Sequence, residues 1–324
     1  MTRVTASAPG KVIVSGEYAV LDGAPAICMA VNRRARVSIV AADASRHTVS
    51  APGYLAKPRT YASMQESANT LPLLAAVWRR MPISQQGYFD IELDSRDFLA
   101  ADHAKLGIGS SAAIAVALTA ALDRVAGASS DVFSAAAEAH RELQDGAGSG
   151  VDIACSFAGN IIQYRMQESD NQTLSWPAGL HYALLWSGRS ADTAAQLEKL
   201  DRANAKTSRA GLADAATAVA TAWQDEEVAG IVTALRDYAD SLRRFDVDHR
   251  LGIFDAGHAE LADAAASGDV VYKPCGAGAG DLGMAVANNE SALAEFIAVA
   301  SSRNFEPLDL AIDANGVEVK GSVN

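Results

Sequence analysis

The segment Gly107-Ile-Gly-Ser-Ser-Ala-Ala-Ile-Ala-Val-Ala-Leu-Thr-Ala-Ala-Leu122 constrains the fold of this 324-residue chain more than any other. A glycine turn runs straight into a stretch that is apolar on nearly every side, and such a helix belongs inside a core rather than on a surface. The same turn brings unpaired backbone N–H groups and the positive end of a helix dipole to one point, an arrangement that binds phosphate without a basic side chain. It is not a Walker A loop, which needs Gly-Lys-Ser/Thr, nor a dinucleotide fingerprint, which needs a third glycine. A plain strand-to-helix turn with Ser110 as N-cap is the competing reading.

Around this helix the chain reads as mixed α and β. Val4–Ala8, Lys11–Ser15, Pro25–Val31 and Ala35–Val40 read as short strands, separated by Gly10, Gly16, Gly23 and the polar Asn32-Arg-Arg. Residues 43–70 read as irregular surface connections, followed by an amphipathic helix near Leu71–Arg80 and a strand pair around the alternating Gly87–Asp94. A second alanine-rich helix spans about Val132–Leu143 and is stopped by Gly146-Ala-Gly-Ser-Gly150. Strands are expected at Asn160–Tyr164 and His181–Trp186, helices from about Thr193 to Ala266, and a glycine loop between strands over Val270–Val286. A last helix over about Ser291–Ser301 precedes a terminal strand. No period of about 20–50 residues repeats, which argues against a solenoid or propeller.

Charge narrows the function classes. Lys and Arg number 27 against 39 Asp and Glu, a formal net charge of −12, which argues against nucleic acid or an anionic membrane as a partner, since both need a basic face. The sequence has no run of about 18 apolar residues and no signal-peptide pattern at Met1–Gly10. Cys28, Cys155 and Cys275 stand far apart and read as reduced core thiols, so a cytoplasmic enzyme is expected. His47, His103, His181, His249 and His258 form no metal-ligand spacing.

Three glycine segments occur together with a fourth motif. Ala8-Pro-Gly-Lys-Val-Ile-Val-Ser-Gly-Glu-Tyr-Ala-Val-Leu-Asp-Gly23, Lys105-Leu-Gly-Ile-Gly-Ser-Ser-Ala112, Gly148-Ser-Gly-Val-Asp-Ile-Ala154 and Lys273-Pro-Cys-Gly-Ala-Gly-Ala-Gly-Asp281 resemble, in order and spacing, the motifs of the GHMP superfamily of small-molecule kinases. Glu17-Tyr18, Gly148–Asp152 and Trp186-Ser-Gly-Arg-Ser-Ala-Asp-Thr193 are more similar to phosphomevalonate kinases than to mevalonate kinases. The resemblance implies an α+β fold of two lobes, residues 1–180 carrying the phosphate loop and residues 181–324 closing a cleft over it. It also implies ATP-dependent transfer of the γ-phosphoryl group to 5-phosphomevalonate, giving a diphosphate, with Mg2+ required. A mevalonate kinase, or a kinase of another small hydroxy acid, stays open as the alternative. A decarboxylase of the same superfamily and a noncatalytic binding module are weaker alternatives, and a homodimer is left open.

The resemblance also assigns roles. Asp152 is the base or acceptor-orienting carboxylate, although an aspartate there also serves as a helix cap. Lys11 holds Asp152 ionised and meets the transferring phosphoryl group. Lys105, Gly107, Gly109, Ser110, Ser111 and Ala112 form the ATP-phosphate site, with Ser110 as an Mg2+ ligand. Glu17, Tyr18, Ser149, Gly276, Ala277 and Gly278 face the acceptor, and Gly280 helps to shape the floor. Arg189 and Ser190 are candidates for the acceptor's own phosphate, because Arg grips phosphate bidentately. Lys11, Lys105, Arg189 and Lys273 are expected to concentrate positive potential. Two departures stand out. His140 falls where mevalonate kinases carry a metal-binding glutamate, leaving His140, Glu138 and Glu142 as candidates for a second Mg2+ ligand. Ala279 replaces a common glycine of the third motif.

Overall fold

The computed structural model describes residues 3–321 apart from 84–86, 167–170, 192–195, 197, 201–205 and 267. Asp192 and Thr193 of the segment compared above lie outside the described residues. The expected short strands at the start are two long ones, β1 (Arg3–Ser15) and β2 (Ala26–Ala42). They pair antiparallel from Arg3 opposite Val40 to Ser15 opposite Ile27. Pro9-Gly10 and Asn32-Arg-Arg are not turns but a bulge: Pro9 faces Arg34 while Gly10 faces Val31. Proline has no N–H for the ladder, and a bulge tolerates that. The Arg34 guanidinium anchors the irregularity, donating to Asp313 Oδ2 at 2.6 Å and to the carbonyls of Ser7 and Gly316.

The length of β2 lets its far edge serve two neighbours. Ala26–Met29 pairs with β6 (Ile161–Tyr164), and Arg36–Ala42 pairs with β5 (Tyr88–Asp94). The strand pair expected near 87–94 is this one strand, which also pairs in parallel with β3 (His47–Ser50). β3 and β4 (Arg59–Tyr61) come from the span read as irregular, because polar edge strands carry little hydrophobic signal. β7 (Gln172–Leu174) on β6 and β12 (Glu318–Lys320) on β1 complete an 8-stranded sheet.

Helix α2 (Ser110–Ala126) crosses this sheet with every residue from Ala112 to Leu122 buried, as its sequence requires. It packs on β1 and β2 and is enclosed by α1 (Pro72–Arg80), α3 (Val132–Leu143) and α4 (Val151–Ala158). Gly10 shows how closely the parts fit: a Cβ there would come within 2.8 Å of the Ile108 carbonyl. That carbonyl accepts from Lys11 N at 2.8 Å, so β1 holds the loop that starts α2.

A second, 4-stranded antiparallel sheet runs in the order β11 (Glu306–Leu308), β8 (His181–Trp186), β10 (Leu282–Ala287), β9 (Val270–Pro274). Its apolar cluster with α7 (His258–Ala265) and α8 (Glu290–Ser302) includes Leu185, Leu261, Tyr272 and Phe296. Its other face shares one continuous core with the first sheet, joined by α5 (Lys206–Gln224) and α6 (Val228–His249) through Trp223, Tyr238, Met284 and Val286. Among the described residues no helix is long and apolar enough to cross a membrane, and all three cysteines are buried and free.

Across that shared core Lys273 of β9 is ion-paired with Glu17, in the turn after β1. Glu17 is 2% and Lys273 3% exposed. The Tyr238 hydroxyl donates to Glu17 Oε2 at 2.8 Å, and Lys273 Nζ also donates to the Pro274 carbonyl at 3.0 Å. Burial opposes the Lys273 charge, but Cys275 and Glu17 beside it outweigh burial and hold its pKa above the ordinary value. Removing one partner of such a pair strands the other charge and costs about 3–5 kcal/mol, whereas removing both costs far less. Lys273→Met is therefore expected to lower the urea midpoint sharply, and adding Glu17→Gln to recover most of the loss.

Candidate active site

A cleft of about 690 Å³ opens where the α2 loop, the turn before α4 and the loop between β9 and β10 converge. Of the residues expected at the site, Lys11, Glu17, Tyr18, Lys105, Gly107, Gly109, Ser110, Ser111, Ser149, Asp152, Ser190, Gly276 and Ala277 line it. Ala112, Arg189 and Gly278 do not. Ala112 is fully buried one step behind the loop. Gly278 is packed on the backbone of Ile253, where a Cβ would collide. Arg189 is exposed and meets the third glycine loop through its carbonyl, which accepts from Asp281 N at 2.6 Å.

The α2 N-terminus is built as an anion site. Gly109, with φ +80°, is its N-cap, and no side chain caps the first turn, so Ser110 is not the cap and the first N–H groups remain available toward the cleft. No acidic residue occupies that turn. The Lys11 stem lies against Gly109, where a Cβ would meet Lys11 Cε at 2.9 Å. Ser190 latches the second sheet onto the loop from the other side: its Oγ accepts from Lys105 N at 3.0 Å and donates to the Lys105 carbonyl at 3.1 Å.

Opposite stands Asp152, in the first turn of α4, whose N-cap is Gly150 at φ +83°. Asp152 is thus not the cap, and it is the acidic residue of that first turn, at the end of the helix where a negative charge is well placed. The Tyr164 hydroxyl donates to the Ser149 carbonyl at 2.7 Å and holds the turn in place. Lys11 and Asp152 share the cleft without an ion pair between them. The basic group facing Asp152 is His140, with Nδ1 3.9 Å from Oδ2, while His140 Nε2 lies 3.0 Å from Ser111 Oγ. Glu138 and Glu142 point the other way, to Arg80 at 3.5 and 2.9 Å. Neither carboxylate is placed to serve as the second metal ligand.

Two expectations need correction. The Glu17 carboxylate, expected to face the acceptor, is committed to Lys273 and Tyr238. Lys273 spends its charge on Glu17, and Arg189 is outside the cleft, so the cations lining it among the described residues are Lys11 and Lys105. Tyr18, at φ +60°, lines the cleft while its hydroxyl donates to the Ala277 carbonyl at 2.7 Å. Burial first, then Asp246 and Glu17, push its pKa up, so the phenol stays neutral.

Residues 73–160 match the family described as GHMP kinases N terminal domain. A phosphomevalonate kinase of Streptomyces sp. (strain CL190) is 28% identical over 88% of this chain and 90% of its own length. The chain therefore carries a GHMP kinase N-terminal domain and is similar to a GHMP-type kinase over most of its length. A mevalonate kinase of Methanothermobacter thermautotrophicus is 31% identical over 52% of the chain and 53% of its own length. The Streptococcus pneumoniae phosphomevalonate kinase, in a structure with phosphomevalonate and AMPPNP, superimposes with a TM-score of 0.77 at 17% identity, over 95% of this chain and 99% of that one. The protein is accordingly an ATP-dependent kinase of α+β fold.

Two residues of this kinase went unassigned in the sequence. Asp281 lines the cleft against the phosphate loop, so close that a Cβ on Gly107 would overlap its carboxyl. Its Oδ1 accepts from Ala191 N at 3.0 Å, and burial raises its pKa. An acidic residue ending a glycine run was the available signal. His258, fully buried, fixes the same loop: Nε2–H donates to the Gly280 carbonyl at 3.0 Å and Nδ1 accepts from the Tyr272 hydroxyl at 2.7 Å. Ala279 sits at φ +65°, so the methyl's cost is backbone strain of roughly 1–2 kcal/mol rather than a narrowed pocket, since Ala279 does not line the cleft.

Gly107→Ala, at φ +75°, is expected to push Asp281 into the phosphate site and lower kcat/KM for ATP roughly 100-fold, read by steady-state ADP release. Burial drives the His258 pKa down to about 4. The unfolded chain therefore binds this proton first on acidification, and stability present above about pH 6.5 declines as pH falls toward about 4, by roughly 3 kcal/mol. Urea midpoints across that range should show this slope in the wild type and lose it in His258→Gln.

Proposed function

We propose that this kinase transfers the γ-phosphoryl group of ATP to 5-phosphomevalonate, giving 5-diphosphomevalonate and ADP. The observation that carries the reading is the extent of the likeness: the phosphomevalonate kinase relative aligns over 88% of the chain, the mevalonate kinase relative over 52%. The triphosphate would lie on the uncapped first turn of α2, with Lys11 and Lys105 beside it. Phosphoryl transfer requires mainly positioning and charge stabilisation, which a preorganised loop and two cations supply.

The metal fits as well. The Ser110 and Ser111 hydroxyls and the Asp152 and Asp281 carboxylates are hard oxygen donors lining one cleft, the type that binds Mg2+ together with substrate phosphates. Bound there, Mg2+ would neutralise charge on the β- and γ-phosphates. Ser110 remains the proposed ligand.

A phosphate acceptor changes what Asp152 has to do. The second ionisation of a phosphate monoester lies near pH 6, so the attacking oxygen carries no proton at neutral pH. Asp152 then orients the acceptor rather than deprotonating it. With a free alcohol, as in mevalonate, the same carboxylate would have to take the proton. ADP release should be measured with Mg2+ against mevalonate and 5-phosphomevalonate, with Asp152→Asn as control. Turnover is expected with the phosphorylated acceptor alone, rising with pH through about 6, and depressed by Asp152→Asn. Turnover of mevalonate alone would move the assignment to the alcohol-acceptor reading.

A further inference from the structure

We propose that His140 is a positioning residue that ties the phosphate loop to the acceptor-side carboxylate, accepting at Nε2 from the Ser111 hydroxyl and turning its Nδ1–H toward Asp152. The inference rests on Asp152 facing the acceptor, as read above. One ring here joins three helices: Ser111 belongs to α2, His140 to α3 and Asp152 to α4. His140 is 3% exposed and lies on the buried stripe of α3 with Ala136 and Ala139, so water has little room to replace either partner.

The geometry also fixes which nitrogen holds the proton. A neutral imidazole has one donor and one acceptor. Asp152 Oδ2 stands 3.9 Å from Nδ1, too far for a hydrogen bond but near enough for its charge to repel a lone pair there. The proton therefore belongs on Nδ1. Nε2, 3.0 Å from Ser111 Oγ, is then the acceptor, and the Ser111 proton is committed to it. Neighbouring acids do not compete, since Glu138 and Glu142 are held by Arg80 on the outer side of α3. Ser111 consequently offers the cleft lone pairs and no donor. At that point it favours a cation, or a ligand O–H or N–H, over an anionic phosphate oxygen.

Two measurements test this. In nucleotide-free protein at mildly alkaline pH, the ring ¹⁵N signals of His140 report where its proton sits. A proton on Nδ1, with the Nε2 signal shifting in Ser111→Ala, supports the assignment; a proton on Nε2, alone or with Nδ1, overturns it whatever the acceptor is. In turnover, His140→Leu is expected to lower kcat roughly 100-fold with the KM for ATP nearly unchanged. His140→Gln, which keeps an amide near the Nε2 position, should restore part of that loss. The double variant His140→Leu, Ser111→Ala should lose less than the product of the two single losses, because the two groups are coupled. Wild-type kcat in His140→Leu, or losses that multiply in the double variant, would sink the proposal. A wild type silent on phosphomevalonate whose His140 carries its proton on Nδ1 would overturn the acceptor assignment and leave this one standing.

Discussion

The buried contact between Glu17 and Lys273 sets the geometry on which the cleft depends. Glu17 lies two residues beyond β1, the strand that carries Lys11 and receives the phosphate loop at Ile108. Lys273 lies just ahead of Gly276 and Ala277, on the opposite wall. Pinning these two residues together, with Tyr18 bonded to Ala277 alongside, fixes the spacing of the walls before any ligand arrives. An ion pair excluded from water tolerates little sliding, since displacement would leave both charges desolvated and unpaired. Preorganisation of this kind is what phosphoryl transfer needs, because reorganising dipoles during the reaction would add to the barrier.

An acidic protein that binds polyanions must confine its positive potential. Among the described residues the confinement is strict: Lys11 and Lys105 line the cleft, Lys273 is paired with Glu17 in the core, and Arg189 is not part of the lining. Backbone dipoles at the start of α2 add attraction without adding charge. The carboxylates of Asp152 and Asp281 on the remaining walls would repel bare triphosphate, which is the electrostatic reason a divalent cation suits this cleft.

Much of this was legible from the sequence wherever the cause was local. The apolar run of α2, the glycine turn before it, the amphipathic α1, the alanine-rich α3 and the helical composition that runs through α5, α6 and α7 are all local signals. The errors arose where a distant partner decides the outcome. Pro9-Gly10 reads as a turn because its strand partner, and the Asp313 that anchors Arg34, are far away in sequence. Lys273 reads as a site cation from its glycine-rich neighbours, whereas Glu17, 256 residues earlier, claims its charge. Polar edge strands such as β4 lack the alternation that would reveal them. His140 stood out as a departure from a family pattern, but its place between Ser111 and Asp152 requires three helices to be assembled.

The pairing of β12 with β1 has a consequence for how the chain is made. Thr5 lies opposite Lys320, so β1 leaves the ribosome about 300 residues ahead of the strand that borders it. Until residues 318–320 emerge, and with them the Asp313, Asn315 and Gly316 groups that engage Arg34, β1 presents an open edge to other nascent chains. Pairing over such a separation is slow in forming, because the loop it closes is about 300 residues long. The short strand that covers β1 is therefore also the one that ends the period in which this edge of the newly made kinase is open to aggregation.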